Sequence, residues 1–100
     1  MLSFALLLGC RPSGTAPDRA EWLAYRERFV TPEGRVVDTG NGGISHSEGQ
    51  GYAMFLAVSF GDRAAFERIW RWTKETLQVR ADKLFAWKWE PAESGGAVKD

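Results

Sequence analysis

The sequence predicts an all-α fold with helices in two layers, and three observations predict it. Helix-start signals stand at Asp18, Ser47 and Asp62, each followed by apolar residues at helical spacing. The first and third segments are amphipathic. The middle one has no charged residue from Gly49 through Gly61. A helix apolar on most faces is buried on most faces. The order amphipathic, buried, amphipathic is therefore what an inner layer wrapped by an outer one would produce.

The elements follow in order. Asp18 is suited to cap the first helix, with Glu21 as its capping-box partner. Trp22, Leu23, Tyr25, Phe29 and Val30 then form an apolar face, with Arg19, Glu21, Glu27 and Arg28 outside. Thr31-Pro32-Glu33-Gly34 ends the helix in a turn. Arg35 to Asp38 suits a short extended stretch, and Thr39 to Gly43 is a glycine-rich loop. That loop lacks the lysine spacing of a phosphate-binding loop and the glycine pattern of a dinucleotide fold. Ser47 is expected to cap the middle helix, with Gln50 reaching back. Gly61 suits a left-handed end to it. Asp62 caps the third helix, which turns Phe66, Ile69, Trp70, Thr73 and Leu77 to one side. Leu84 to Trp89 alternates as an extended stretch would, and Pro91 to Gly96 is loop.

Thirteen basic and thirteen acidic residues cancel in these 100 residues, so charge offers no case for nucleic acid. Five tryptophans are several times ordinary usage. They suit either a core or flat platforms for sugar rings. One cysteine, Cys10, excludes an intrachain disulfide. Leu2 to Leu8 is apolar and too short to span a bilayer, like the apolar region of a secretory signal. Leu7-Leu8-Gly9-Cys10 resembles a bacterial lipobox, whose cysteine is lipidated. Residues 1–17 thus read as a signal-like segment and a Pro/Ser/Gly/Thr tether, with the folded part at 18–100. Export is expected, to the periplasm, an outer-membrane anchor or the extracellular space, with the membrane reached only through a lipid on Cys10.

The chemistry concentrates in Ile44-Ser45-His46-Ser47-Glu48-Gly49-Gln50-Gly51-Tyr52-Ala53-Met54. It sets an acid on the first turn of an otherwise apolar helix. The flanking Gly49 and Gly51 each cost a helix about 1 kcal/mol, which a close approach would explain. A helix amino terminus favours the carboxylate form of Glu48; burial or a second carboxylate would favour the protonated form. The residues alone leave that sign open, and a capping glutamate remains the plain alternative.

Ser45-His46-Ser47-Glu48-Gly49-Gln50-Gly51-Tyr52 resembles the signature of glycoside hydrolase family 8, in particular the branch that accompanies bacterial cellulose synthases. The likeness continues through Gly61-Asp62-Arg63-Ala64-Ala65-Phe66, Ile69-Trp70-Arg71-Trp72-Thr73 and Ala86-Trp87-Lys88-Trp89. Upstream, Trp22, Tyr25, Arg28-Phe29 and Gly34-Arg35-Val36-Val37-Asp38 match. Ala53 departs from it, because glycine is usual there. The resemblance implies an (α/α)6 barrel and inverting hydrolysis of β-1,4-glucan by an endoglucanase, with Glu48 as general acid. It implies a sugar-stacking role for Trp87. It also implies that the catalytic base lies outside this chain, that three helices are only part of the barrel, and that the chain made alone is inactive.

Around Glu48, His46, Gln50 and Tyr52 are expected to contact substrate. Asp38 and Asn41 are weaker candidates for sugar hydroxyls, since both are common turn residues. Trp70 suits the core, and Trp89 would share a strand face with Trp87. His46 is the only histidine, so no metal site is expected, and no cofactor. The expected partners are a β-1,4-glucan and, through the resemblance, the cellulose synthase machinery. Two rivals stand beside this reading: a non-catalytic sugar-binding or interaction lipoprotein, and a family 8 enzyme for chitosan, xylan or mixed-linkage glucan.

Overall fold

The computed structural model describes residues 18–100. The signal-like segment, Cys10 and the tether fall outside the described residues. Helix α1 spans Arg19–Phe29 and opens on the expected box: the Asp18 carboxylate accepts from the Glu21 amide at 2.8 Å, and the Glu21 carboxylate accepts from the Asp18 amide at 3.2 Å. The helix ends as predicted. The turn closes through the Gly34 amide on the Thr31 carbonyl (2.9 Å), and Val36 returns beside Val30 as an antiparallel bridge. Gly34 has φ +99°, where L side chains are strained. Asp38 and Ile44 form a second bridge that pinches the base of the glycine-rich loop.

Strand β1, Ser45–His46, runs directly into helix α2, Ser47–Ser59. Gly61, at φ +67°, ends α2 as expected. Its amide reaches the Val58 carbonyl (3.0 Å) and the Asp62 amide reaches that of Ala57 (2.8 Å), the paired bonds of a Schellman end. Asp62 then caps helix α3, Arg63–Leu77, accepting from the Ala65 amide at 3.1 Å. Strands β2, Lys88–Glu90, and β3, Ala97–Lys99, follow. The three strands pair antiparallel in the order β1-β2-β3, with Ser45 opposite Trp89, His46 opposite Lys88 and Trp89 opposite Val98.

That sheet corrects the all-α expectation. Its strands are two and three residues long; the alternating stretch read at Leu84 to Trp89 reaches into β2, while pairing between distant segments is what makes β1 and β3 strands.

The core lies between the helices. Trp22, Ala57 and Ala65 form one buried cluster with Tyr25, Leu56, Phe60 and Phe66 around it. Val36, Ala53 and Ile69 form a second. Small residues let α2 approach α3 closely, and the departing Ala53 is fully buried there. One expectation is met in part and one is corrected. Helix α2 takes the inner place, but only one side of it is covered by the described residues: Tyr52, Phe55 and Val58 are 58%, 65% and 64% exposed, as expected of an inner-layer helix when three helices are only part of the barrel. Trp70 is not core but partly open, leaning on Phe85 with ring centroids 6.0 Å apart.

Asp62 does more than cap. Its other carboxylate oxygen, buried, accepts from the Trp22 indole (2.9 Å) and the Arg26 guanidinium (2.7 Å), joining α1 to α3. Burial alone would raise its pKa. The hydrogen bonds from Trp22, Ala65 and Arg26 outweigh burial and hold it below the usual 3.8. A depressed folded-state pKa means that the stabilisation is complete above the ordinary aspartate range and is lost as pH falls through the lower folded value. Asp62→Asn replaces one of the two accepting oxygens by an amide donor, which must face the Ala65 amide or the Trp22 and Arg26 donors, and is expected to cost about 1–3 kcal/mol at neutral pH. Urea unfolding at a series of pH values checks this. The difference between wild type and variant should shrink as the solution is taken below pH 3.8; a difference flat in pH would mean the carboxylate charge is not what joins the helices.

Candidate functional site

Glu48 is the second residue of α2 and is exposed on its first turn. The backbone on either side of it is held. The Ser47 amide donates to the Trp87 carbonyl at 2.9 Å, and the Gly49 amide donates to Nδ1 of His46 at 3.0 Å. The helix cap is therefore His46, one residue before the expected Ser47. A bare imidazole nitrogen satisfies a free first-turn amide in the same way as a Ser or Asn oxygen.

Glu48 shares a hollow of about 380 Å³ with Asn41, Ile44, His46, Trp87 and Lys88. The Trp87 side chain is 54% exposed. Its backbone is fixed at both ends, the amide by the Asp100 carboxylate (3.1 Å) and the carbonyl by Ser47. The Lys88 ammonium lies 4.7 Å from the Trp87 ring centroid and 2.9 Å from the Glu90 carboxylate. A larger hollow of about 440 Å³ sits at the α2–α3 corner. It is mainly apolar, and its Asp62 is committed to Trp22 and Arg26.

The other expected site residues separate. Gln50 is a correction. It is fully buried, its oxygen accepting from the Val36 amide (2.7 Å) and its nitrogen donating to the Gly34 carbonyl (3.1 Å) and the Thr73 hydroxyl (2.9 Å). Both its donors are taken inside the protein, so it neither reaches back to the helix start nor faces a ligand. Tyr52 is exposed but lines a different hollow, of about 230 Å³, with Trp22, Tyr25, Leu56 and Phe60. His46 borders the Glu48 hollow, yet both its ring nitrogens are engaged, Nδ1 by Gly49 and Nε2 by Asp38 at 3.2 Å. Trp89 does not share the open surface of Trp87. It meets Trp72 edge-on, with centroids 6.0 Å apart, and carries the Arg35 guanidinium 4.6 Å from its ring centroid.

Asp38 and Asn41 act within the loop. Asp38 accepts from the Asn41 amide (2.7 Å), from His46 and from the Gly40 amide (3.1 Å). The Asn41 hydrogen bond, followed by that of His46, holds the Asp38 carboxyl below its ordinary range despite some desolvation. Of the glycines beside the acid, Gly49 is explained by a close approach: a Cβ there would lie 3.1 Å from His46 Cε1. Around Gly51 there is open space among the described residues. Two groups escaped the sequence reading: Lys88, which looked like one more polar position, and the tie between Asp38 and His46. The alternation of Lys88 with Trp87 and Trp89 could have suggested the first.

Chemically this arrangement offers two things: a flat indole face suited to an apolar ring surface, and a solvent-reachable carboxyl able to give or take a proton beside it. The helical scaffold agrees with a known family. The profile of the glycosyl hydrolases family 8 matches residues 3–100, and the chain belongs to that family. A Novacetimonas hansenii protein named "Probable endoglucanase" is 53% identical over 75 residues, covering 73% of this chain and 22% of its own length. A family 8 endo-β-1,4-glucanase from an Achatina fulica gut metagenomic library superposes with a TM-score of 0.70 at 45% identity, over 85% of this chain and 26% of that one. The family 8 endoglucanase of Klebsiella pneumoniae also gives a TM-score of 0.70, at 47% identity over 74% of this chain and 24% of its own. The chain thus spans about a fifth to a quarter of the length of these relatives.

Proposed function

We propose that the chain carries the proton-donating side of an endo-β-1,4-glucanase, within three helices of an (α/α)6 barrel. Glu48 protonates the oxygen of the departing sugar, and Trp87 stacks on a neighbouring ring. The observation that supports this most directly is the exposed Glu48 carboxyl sharing one hollow with the open Trp87, in a chain similar to proteins named endoglucanases. Inversion requires a carboxylate base about 6.5–9.5 Å from the acid with a water between them. Asp38 is a poor base, because both its oxygens already accept hydrogen bonds; the reading takes the base from outside residues 18–100. Export with a lipid on Cys10 is proposed from the sequence pattern, and work beside a cellulose synthase from the family resemblance.

Segment replacement tests the proposal. Residues 18–100 are set in place of the matching stretch of the Novacetimonas hansenii relative. The chimaera is expected to hydrolyse soluble β-1,4-glucan with inverted anomeric configuration, read by proton NMR of the fresh product. A folded chimaera that leaves β-1,4-glucan intact, beside an active parent, would overturn the reading.

A further inference from the structure

We propose that His46 is the positioning residue of the acid-bearing turn: a neutral imidazole whose bare Nδ1 caps α2 and whose Nε2 proton is held by Asp38. The function of the turn rests on the reading of Glu48 above; the hydrogen-bond state of the ring does not.

The bonds fix the tautomer. The Gly49 amide donates to Nδ1 at 3.0 Å, and a nitrogen that accepts carries no proton. The single proton of a neutral ring is then on Nε2, 3.2 Å from Asp38 Oδ2. Asp38 is itself held by Asn41 on that oxygen and by the Gly40 amide on the other. A continuous chain of hydrogen bonds therefore runs from the glycine-rich loop, through Asp38 and His46, to the first turn of α2. A doubly protonated ring would aim an N–H at the Gly49 N–H, so the cap exists only with the neutral imidazole.

The same contacts account for two local features. Glycine at position 49 leaves the ring its place, because a Cβ there would crowd it at 3.1 Å from Cε1. Glu48 is also bracketed: the amide before it is tied to Trp87 and the amide after it to His46. The acid thus sits where the sugar platform and the imidazole together place it. Because both ring nitrogens are occupied, His46 acts through this placement and has no hydrogen-bonding atom left for substrate.

Two measurements test the proposal. His46 is the only histidine, so long-range proton–nitrogen NMR of the full ¹⁵N-labelled chain reads its tautomer without ambiguity. The expected pattern is a protonated Nε2 and a bare Nδ1; a proton on Nδ1 overturns the cap. In the chimaera, His46→Ala is expected to lower kcat about ten-fold or more, with KM within about two-fold, because the turn is released while the substrate contacts remain. His46→Asn, whose side-chain oxygen also caps, should recover most of that loss. A raised KM with unchanged kcat would mean direct sugar contact, and failure of Asn to rescue would mean the cap is not what matters; either result overturns the proposal. If Glu48→Gln stays active while the tautomer is as expected, the reading of Glu48 fails and the cap stands.

Discussion

Glu48→Gln in the chimaera is expected to lower kcat on cello-oligosaccharides by about 10²–10⁴-fold, the usual contribution of a positioned general acid. Glutamine keeps the size and helix position of the side chain and removes the transferable proton. The backbone ties from Ser47 to Trp87 and from Gly49 to His46 do not involve the Glu48 side chain, so the turn should persist. KM should change little, because the lost interaction matters only as the glycosidic bond breaks. The leaving group provides the decisive control. A sugar alkoxide needs a proton to depart, whereas an activated phenol does not. An aryl cello-oligoside with such a phenol should retain most of its rate in the variant. Equal losses on both substrates would assign Glu48 to binding or folding, and a rate within a few-fold of wild type on natural oligomers would remove it from the chemistry.

Gly34→Ala is expected to destabilise the protein by about 3 kcal/mol or more, a size confined to a few structural causes. Two causes act together. Gly34 lies at φ +99°, and a Cβ there would overlap the backbone carbonyl of Arg68 and come within 2.8 Å of the Ile69 nitrogen. Both are main-chain groups inside α3, so no side-chain rotation relieves the clash. The turn must lift from the helix, which pulls the Gly34 carbonyl and the Val36 amide away from Gln50. Gln50 stands on the same first turn of α2 as Glu48, so the displacement should reach the site as well. Gly51→Ala is the contrasting variant. It lies in a helix with open space around it among the described residues and should stabilise by roughly 0.5–1 kcal/mol. Thermal melts of the two chimaera variants beside wild type check both signs. Equal small effects would mean that the approach of Gly34 to α3 does not constrain the fold.

The sequence by itself determined the three helices and most of their ends. The Asp18–Glu21 box, the left-handed Gly61 and the Asp62 cap are each made by groups within five residues of one another. Interactions that local leave their mark in residue order. Glu48 could be picked out for the same reason, as a lone acid on the first turn of an apolar helix, together with the motif around it. The tertiary structure decided which surrounding polar and aromatic groups face the hollow. Gln50 and Tyr52 sit beside the acid in sequence, yet Gln50 spends its side chain on Val36, Gly34 and Thr73, which are 14, 16 and 23 residues away. His46 was legible as a polar neighbour but not as a cap, because Ser47, a commoner capping residue, stands one position later; its tie to Asp38, eight residues back on a bent loop, exists only in the fold. Trp70, Trp87 and Trp89 are alike in composition and differ only in what packs on them: Phe85 on the first, Lys88 on the open second, Trp72 and Arg35 on the third. The small sheet was only partly legible: the alternation of Leu84 to Trp89 reached the start of β2, whereas β1 and β3, two and three residues long, exist only through their partners. Helix ends are set by local hydrogen bonds, whereas the exposure of a side chain depends on groups that only folding brings near.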